Sequence, residues 1–212
     1  MPHDFNVQAL GRAALATANE IFAAAAYNIR VQMLTAEDLE WCIVQTRRQP
    51  ENLRMPWALS GAVLDNPDAF NFSFKILDAD QRPAGACLCQ FCPATDEMPA
   101  VLNVEMLQNF HIKGSSLDGN TFRFALYAAV LFMVATQCTG LRLISPINAR
   151  VADYYINEYR FIDITSGEKG ILYRDAQALF QWFIDDSASV EIAHYLSDND
   201  DQQKGYRGEY GH

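Results

Sequence analysis

The period of the apolar positions changes several times along this chain, and each change marks an element. From Asn6 to Ala26, Leu10, Leu15, Ala18, Ile21, Phe22 and Ala25 fall roughly on one helical face of an Ala-rich stretch free of proline, which predicts a leading helix. Ile29 to Leu34 alternates, as a half-buried strand does. Thr35 then offers an N-cap with Asp38 three residues on, an Asp form of the capping box, so a helix is predicted through Leu39, Trp41 and Val44. Pro50 and Pro56 end that region, and WALSGAVLDNPDAF reads as a second short helix or a loop on the substrate side.

From Phe70 the period becomes two. FNFSFKILDAD and AGACLCQF flank the turn-rich DADQRP and predict a hairpin, and Ala100 to Phe110 is the next strand after a proline-bounded loop. HIKGSSLDGN is a glycine-bearing turn, and TFRFALYAAVLFMVATQC is a long apolar helix that Gly140 can terminate. LRLISPI, NARVADYYINEYR and FIDITS add a strand, a helix and a strand, and GILYRDAQALFQWFI a strand running into a helix or helical turn. A strand, a turn, a long helix and a strand make a crossover unit, so the strands on either side of the long helix should be parallel neighbours. The order predicts a mixed α/β chain around one central sheet.

At 212 residues, half of them hydrophobic, the chain can bury one substantial core. The formal charge of −10 leaves no basic stripe to replace counterions, so nucleic acid is not expected as a partner, and a cationic amine is easier to accommodate. The run from Phe124 to Ala135 is short for a membrane span and reads as a buried helix, so no membrane partner is expected. Five cysteines are an odd number, and MPHDFNVQ lacks a basic start followed by an apolar core, which together suggest a reducing cytoplasm. The C-x-x-C of CLCQFC lies in an alternating strand, where buried cysteines act as small hydrophobes, and no spacing suggests a metal site.

Three places carry candidate chemistry. Glycines in KGSSLDGNT, between a strand and a helix, can let unpaired backbone N–H groups meet an anion such as a pyrophosphate, with Lys113 and Arg123 as nearby cations; the same residues can equally make a plain turn capped by Asn120 or Thr121. Asn148 ends an apolar strand, and Tyr154 and Tyr155 follow about two helical turns later. A phenol stays protonated at neutral pH and can donate to a departing thiolate, with Tyr155 the better candidate and Tyr154 expected in the core. Glu105 either faces solvent from an alternating strand or stands, partly desolvated, where it can act as a base; His111 is the other candidate.

The order of elements from Ile29 to Phe183, with SPINARVADYYINEYRF as its strongest part, resembles the GCN5-related N-acetyltransferase (GNAT) superfamily. Asn148, Val151 and Tyr155 match that family's strand, asparagine and helical tyrosine; Phe161 stands for its phenylalanine, and Arg160 replaces its usual glycine. Gly85 in the hairpin fits as well. The phosphate turn departs from the family pattern, because its two glycines lie five residues apart. The resemblance implies an α/β (α+β) acyl-CoA N-acyltransferase fold, with a single mixed, mostly antiparallel central sheet flanked by helices. It places the acyltransferase domain at 29–183, between an N-terminal helical extension at 1–28 and an acidic tail at 184–212. It also implies acetyl-CoA as co-substrate and an amine as acceptor, with a homodimer as a compatible assembly. Pyrophosphate contacts would fall on Lys113, Gly114, Ser115, Ser116, Gly119, Asn120 and Thr121. Met106, Leu107 and Gln108 would meet the pantetheine arm, and Asn148 would join the binding set. Tyr155 would be the acid and Glu105 the base. A CoA-binding or wholly non-catalytic module that keeps the fold, as a sensor or interaction protein, is the rival reading, favoured by the unusual turn and by Arg160.

Overall fold

The computed structural model describes residues 6–60, 64, 71–115 and 117–189. Its described strands form one seven-stranded sheet in the order β1-β2-β3-β4-β5-β7-β6: β1 (Arg30–Met33), β2 (Phe74–Leu77), β3 (Pro83–Cys92), β4 (Val101–Asn109), β5 (Gly140–Ile144), β6 (Ile162–Asp163) and β7 (Ile171–Asp175). Every neighbouring pair is antiparallel except β4 and β5. That one parallel pair is joined through α3 (Thr121–Thr136), as the crossover requires.

Local signals account for much of this. Thr35 and Asp38 close the capping box that opens α2 (Ala36–Arg47), and Lys75 on β2 reaches Asp38 at 2.7 Å, tying helix to sheet. In the β2–β3 turn the buried Asp78 carboxylate accepts from the backbone N–H groups of Asp80 and Arg82 and from the Arg82 guanidinium, which explains DADQRP as a hairpin turn. Asn148 caps α4 (Ala149–Tyr159), its side chain accepting the Val151 N–H at 3.0 Å.

The two faces of the sheet are covered unequally. On one, α1 (Val7–Ala24), α3, α4 and α5 (176–189) share a single large core. Phe22 of α1 packs edge-on against Phe124 of α3 at 5.4 Å, and Phe72 stacks on Phe132 at 4.1 Å. The leading helix therefore shares the core of the sheet domain, and α5 continues past Phe183 to dock through Asp186. That carboxylate accepts from Arg123 Nε at 2.8 Å and from the Tyr127 hydroxyl at 2.7 Å. The other face carries a smaller core in which α2 and two 3-10 turns, Glu51–Leu53 and Trp57–Leu59, cover Ala86, Leu88, Met106 and Phe110. Trp57 opens a 3-10 turn; most of the rest of the stretch expected to be a short helix or a loop, residues 61–63 and 65–70, lies outside the described residues.

Gly140 does not end the long helix. Gln137 takes the left-handed C-cap at φ 55°, donating its N–H to Met133 and Val134, and Gly140 opens β5. Gly140 is needed there for a different reason, because a Cβ would collide with the Tyr173 ring, whose hydroxyl donates to Thr139 O. Gly140→Ala is expected to lose that bond and about 1–3 kcal/mol of stability, read as a lower urea midpoint. An unchanged midpoint would mean that the ring swings aside freely.

Candidate functional site

The parallel pairing of β4 with β5 covers only Val101 to Val104 against Gly140 to Leu143. At that point the β3–β4 register slips: Leu88 faces Met106 and Cys89 faces Val104, so Glu105 is an extra, bulged residue in β4. Beyond the bulge β4 runs on to Asn109, while β5 ends at Ile144 and the chain turns away through Ser145 at φ 46°. The edge of β4 that faced β5 therefore has no strand partner over 105–109 among the described residues. A cavity of about 210 Å³ opens in this gap, with Glu105, Leu107 and Gln108 on one side and Ile144, Val151 and Tyr155 on the other.

Tyr155 reaches the cavity because α4 is capped at Asn148, which puts Ile147, Val151 and Tyr155 at successive i, i+4 positions of one stripe. Its ring packs on Phe122 with centroids 4.5 Å apart, and burial pushes its phenol pKa well above the ordinary value. Tyr154, expected in the core, is instead exposed. The reason is the helix period: adjacent residues point about 100° apart, so only one tyrosine of the pair can face inward.

The turn after β4 is built by side chains. Asn109 accepts the His111 N–H at 2.7 Å and donates to Asp118 at 2.9 Å, and Asp118 also meets His111 Nδ1 at 3.1 Å. Gly114 and Gly119 have φ near 80°, which supports both as turn glycines. Gly85 on β3 lets β4 and the turn lie close, since a Cβ there would meet Gln108 O at 3.2 Å and the Leu117 side chain at 3.5 Å. No side chain caps the first turn of α3 at Asn120. Thr121 Oγ1 donates backward to Leu117 O, so neither residue makes the expected cap.

The expected site residues divide clearly. Glu105, Leu107, Gln108, Thr121 and Tyr155 are brought together around the cavity, joined by His111. Met106 points its side chain into the smaller core, on the opposite face from the main core. Lys113, Gly114 and Gly119 are exposed on the turn, with Ser115 and Asn120 half-buried beside them, and none of the five lines the cavity. Ser116 lies outside the described residues. The Asn148 side-chain oxygen is taken up by the helix cap, and Arg123 is taken up by Asp186, so Arg123 is not a cation of the turn.

One wall of the cavity went unread in the sequence. Gln49, Leu53 and Met55, from the segment after α2, close it on the β4 side. They are held by polar side chains whose partners are far away in the chain. Gln49 Nε2 donates to Phe110 O at 3.0 Å, Gln108 Nε2 donates to Leu53 O at 3.1 Å, and Trp57 Nε1 donates to Gln108 Oε1 at 2.6 Å. The only local signal was a tryptophan directly after Pro56, in a stretch without helical or strand period.

No family model matches the sequence, and no curated protein matches it. Solved structures do. A tyrosine-to-phenylalanine variant of the toxin AtaT, bound to the C-terminus of the antitoxin AtaR and acetyl-CoA, is 12% identical with a TM-score of 0.51, covering 74% of this chain and 98% of its own. A GNAT-family acetyltransferase from Staphylococcus aureus Mu50 is 13% identical with a TM-score of 0.51, covering 70% of this chain and 99% of its own. The AtaT–AtaR complex has also been solved bound to DNA, at 12% identity and a TM-score of 0.48, covering 72% of this chain and 98% of its own.

The expectation that nucleic acid is excluded as a partner is corrected here: AtaT, one of these neighbours, has been solved with AtaR and DNA. Net charge alone does not exclude such an assembly, because an acidic chain can enter one through a basic partner. No helix among the described residues is long and apolar enough to cross a membrane. With one parallel pair in a mostly antiparallel sheet, strands that part at a bulge, and these structural neighbours, the chain has the fold of the GCN5-related N-acetyltransferases.

Proposed function

We propose that the protein transfers an acetyl group from acetyl-CoA to a primary amine. The observation that carries this reading is the gap between β4 and β5, where a free strand edge borders a cavity lined by a carboxylate and a phenol. The unpaired edge over 105–109 suits the amides of a pantetheine arm, which can hydrogen-bond to it as an added strand would. The turn from Lys113 to Thr121 stands at the start of α3, where backbone donors favour an anion. Asp118 partly offsets that preference, leaving Lys113 as the exposed cation of the turn.

In this reading Glu105, directly or through a water, takes the proton from the attacking amine as the new N–C bond forms. Tyr155 gives its hydroxyl proton to the sulfur as the C–S bond breaks. Burial suits Tyr155 to that role, because a raised pKa keeps the proton in place throughout the neutral and mildly alkaline range. No metal is needed for either transfer.

The rival reading, a module of this fold without turnover, draws on the unusual turn and on Arg160 in place of the family's glycine. Acetyl-CoA titrated against thermal unfolding tests the premise of CoA binding. A ligand bound only by the folded state stabilises it by about 2.7 kcal/mol at a concentration 100 times its Kd. A saturable rise in Tm is expected, and no rise at millimolar acetyl-CoA would remove the transferase reading and favour a module that does not bind CoA. A rise with no transfer to any amine would leave the non-catalytic module.

A further inference from the structure

We propose that Arg142 and Asn103 anchor an anionic group, a carboxylate or a phosphate, carried by the amine acceptor. The proposal rests on the acyl-transfer reading of the cavity lined by Val104, Glu105 and Leu143, the residues that follow this pair on the two strands; Asn103 and Arg142 do not themselves line it. Asn103 on β4 and Arg142 on β5 are direct partners in the parallel pair, and Arg142 is paired in turn with Tyr173 on β7, Asn103 with Gln90 on β3. Cross-strand partners share a face, so these four form one polar row across the centre of the sheet. The row lies on the face away from the main core, whose strand residues are Leu102, Val104, Leu141, Leu143 and Leu172.

Two atoms in this row stand out. Arg142 Nε and Asn103 Oδ1 are both buried and have no hydrogen-bond partner among the described residues. Nearly all buried polar groups are paired, so an orphaned guanidinium N–H beside an orphaned amide oxygen marks a place where a partner is missing. Arg142 also has no ion pair among the described residues, whereas Lys75, Arg82, Arg123 and Lys169 each have at least one. The donor matches an anionic oxygen, and the acceptor matches an N–H of the same ligand.

Position links this pair to the chemistry. Glu105 follows Asn103 by two residues on β4, roughly 7 Å along a strand, and lines the cavity. An acceptor whose anion rests on Arg142 would therefore hold its amine toward Glu105. The nearby Cys92 thiol registers both charges: burial raises its pKa, Arg142 lowers it and Glu105 raises it. Asn103 Nδ2 already donates to that sulfur at 3.6 Å, which fixes the amide with its oxygen left over.

The test measures binding by thermal shift of the full chain, using matched pairs of amines. β-Alanine and 4-aminobutyrate are compared with their carboxamides, and 2-aminoethyl phosphate with ethanolamine. The expected result is at least about 10-fold tighter binding of the anionic member, lost in Arg142→Gln and partly kept in Arg142→Lys, which retains the charge without the fork. Stronger discrimination in the phosphate arm or in the carboxylate arm identifies the anion. Equal binding of both members to the wild-type protein would overturn the proposal, with the orphaned atoms then satisfied by water alone. A preference that survives in Arg142→Gln would overturn it too. Should Arg142→Gln not fold by circular dichroism, the wild-type pairs and Arg142→Lys decide. Failure of the acyl-transfer reading would appear separately, as absence of thiol release with every one of these amines.

Discussion

Tyr155→Phe is expected to lower turnover by about 10²–10⁴-fold while leaving the affinity for acetyl-CoA within about 2-fold. The substitution removes one hydroxyl and keeps the ring against Phe122, so packing and the cavity shape persist. A loss confined to kcat would mean that the hydroxyl acts in the transition state, as a proton donor to the leaving sulfur must. The pH profile adds a second check. Burial raises the phenol pKa above its ordinary value near 10, so the protonated donor persists to higher pH and Tyr155 should cause no alkaline fall in rate below about pH 10. Unchanged turnover in Tyr155→Phe would remove its assigned role, and a fall in acetyl-CoA affinity alone would make Tyr155 a binding residue.

Trp57→Ala is the largest expected loss of stability, about 3–5 kcal/mol. Trp57 is fully buried and packs near Phe110, and its Nε1 supplies the only hydrogen bond recorded to Gln108 Oε1 among the described residues. Truncation leaves a large void and an unpaired buried acceptor together. Against a typical total of about 5–15 kcal/mol, the variant should be marginal at best in urea denaturation. Trp57→Phe separates the two contributions, because it keeps most of the volume and loses the donor, at about 1–3 kcal/mol. It should also loosen the Leu53 and Met55 wall through Gln108, raising KM more than it changes kcat. A cost below about 1 kcal/mol for Trp57→Ala would contradict the clamp between this segment and β4.

What could be read from the sequence was what short-range signals determine. Thr35 and Asp38 lie three residues apart, and their capping box formed as that spacing implied, whereas the Asn148 cap on Val151 was not anticipated. The alternation in β2, β3 and β4 and the long apolar run of α3 fixed the hairpin and the crossover. The features that shape the cavity were hidden because their partners are distant or their local pattern is misleading. Glu105 reads as one more residue of an alternating strand, and only pairing with β3 reveals it as a bulge. Gln49, Trp57 and Arg123 find their partners 61, 51 and 63 residues away, beyond any periodicity. Gln137 in a left-handed cap has no composition signal at all, while Gly140 supplied a false one. Among the candidate site residues, Tyr155 and Glu105 were chosen by chemical type and spacing, and both line the cavity. Met106 and Asn148 were placed by resemblance, and their side chains serve packing and capping.

Thiol release from acetyl-CoA, followed for the purified protein across a mixed amine library, tests the central claim most directly. The account predicts release that depends on the amine, matches the N-acetylated product mole for mole, and falls in both Glu105→Gln and Tyr155→Phe. Release no faster than the uncatalysed background with every amine, from a protein that acetyl-CoA nonetheless stabilises, would contradict it.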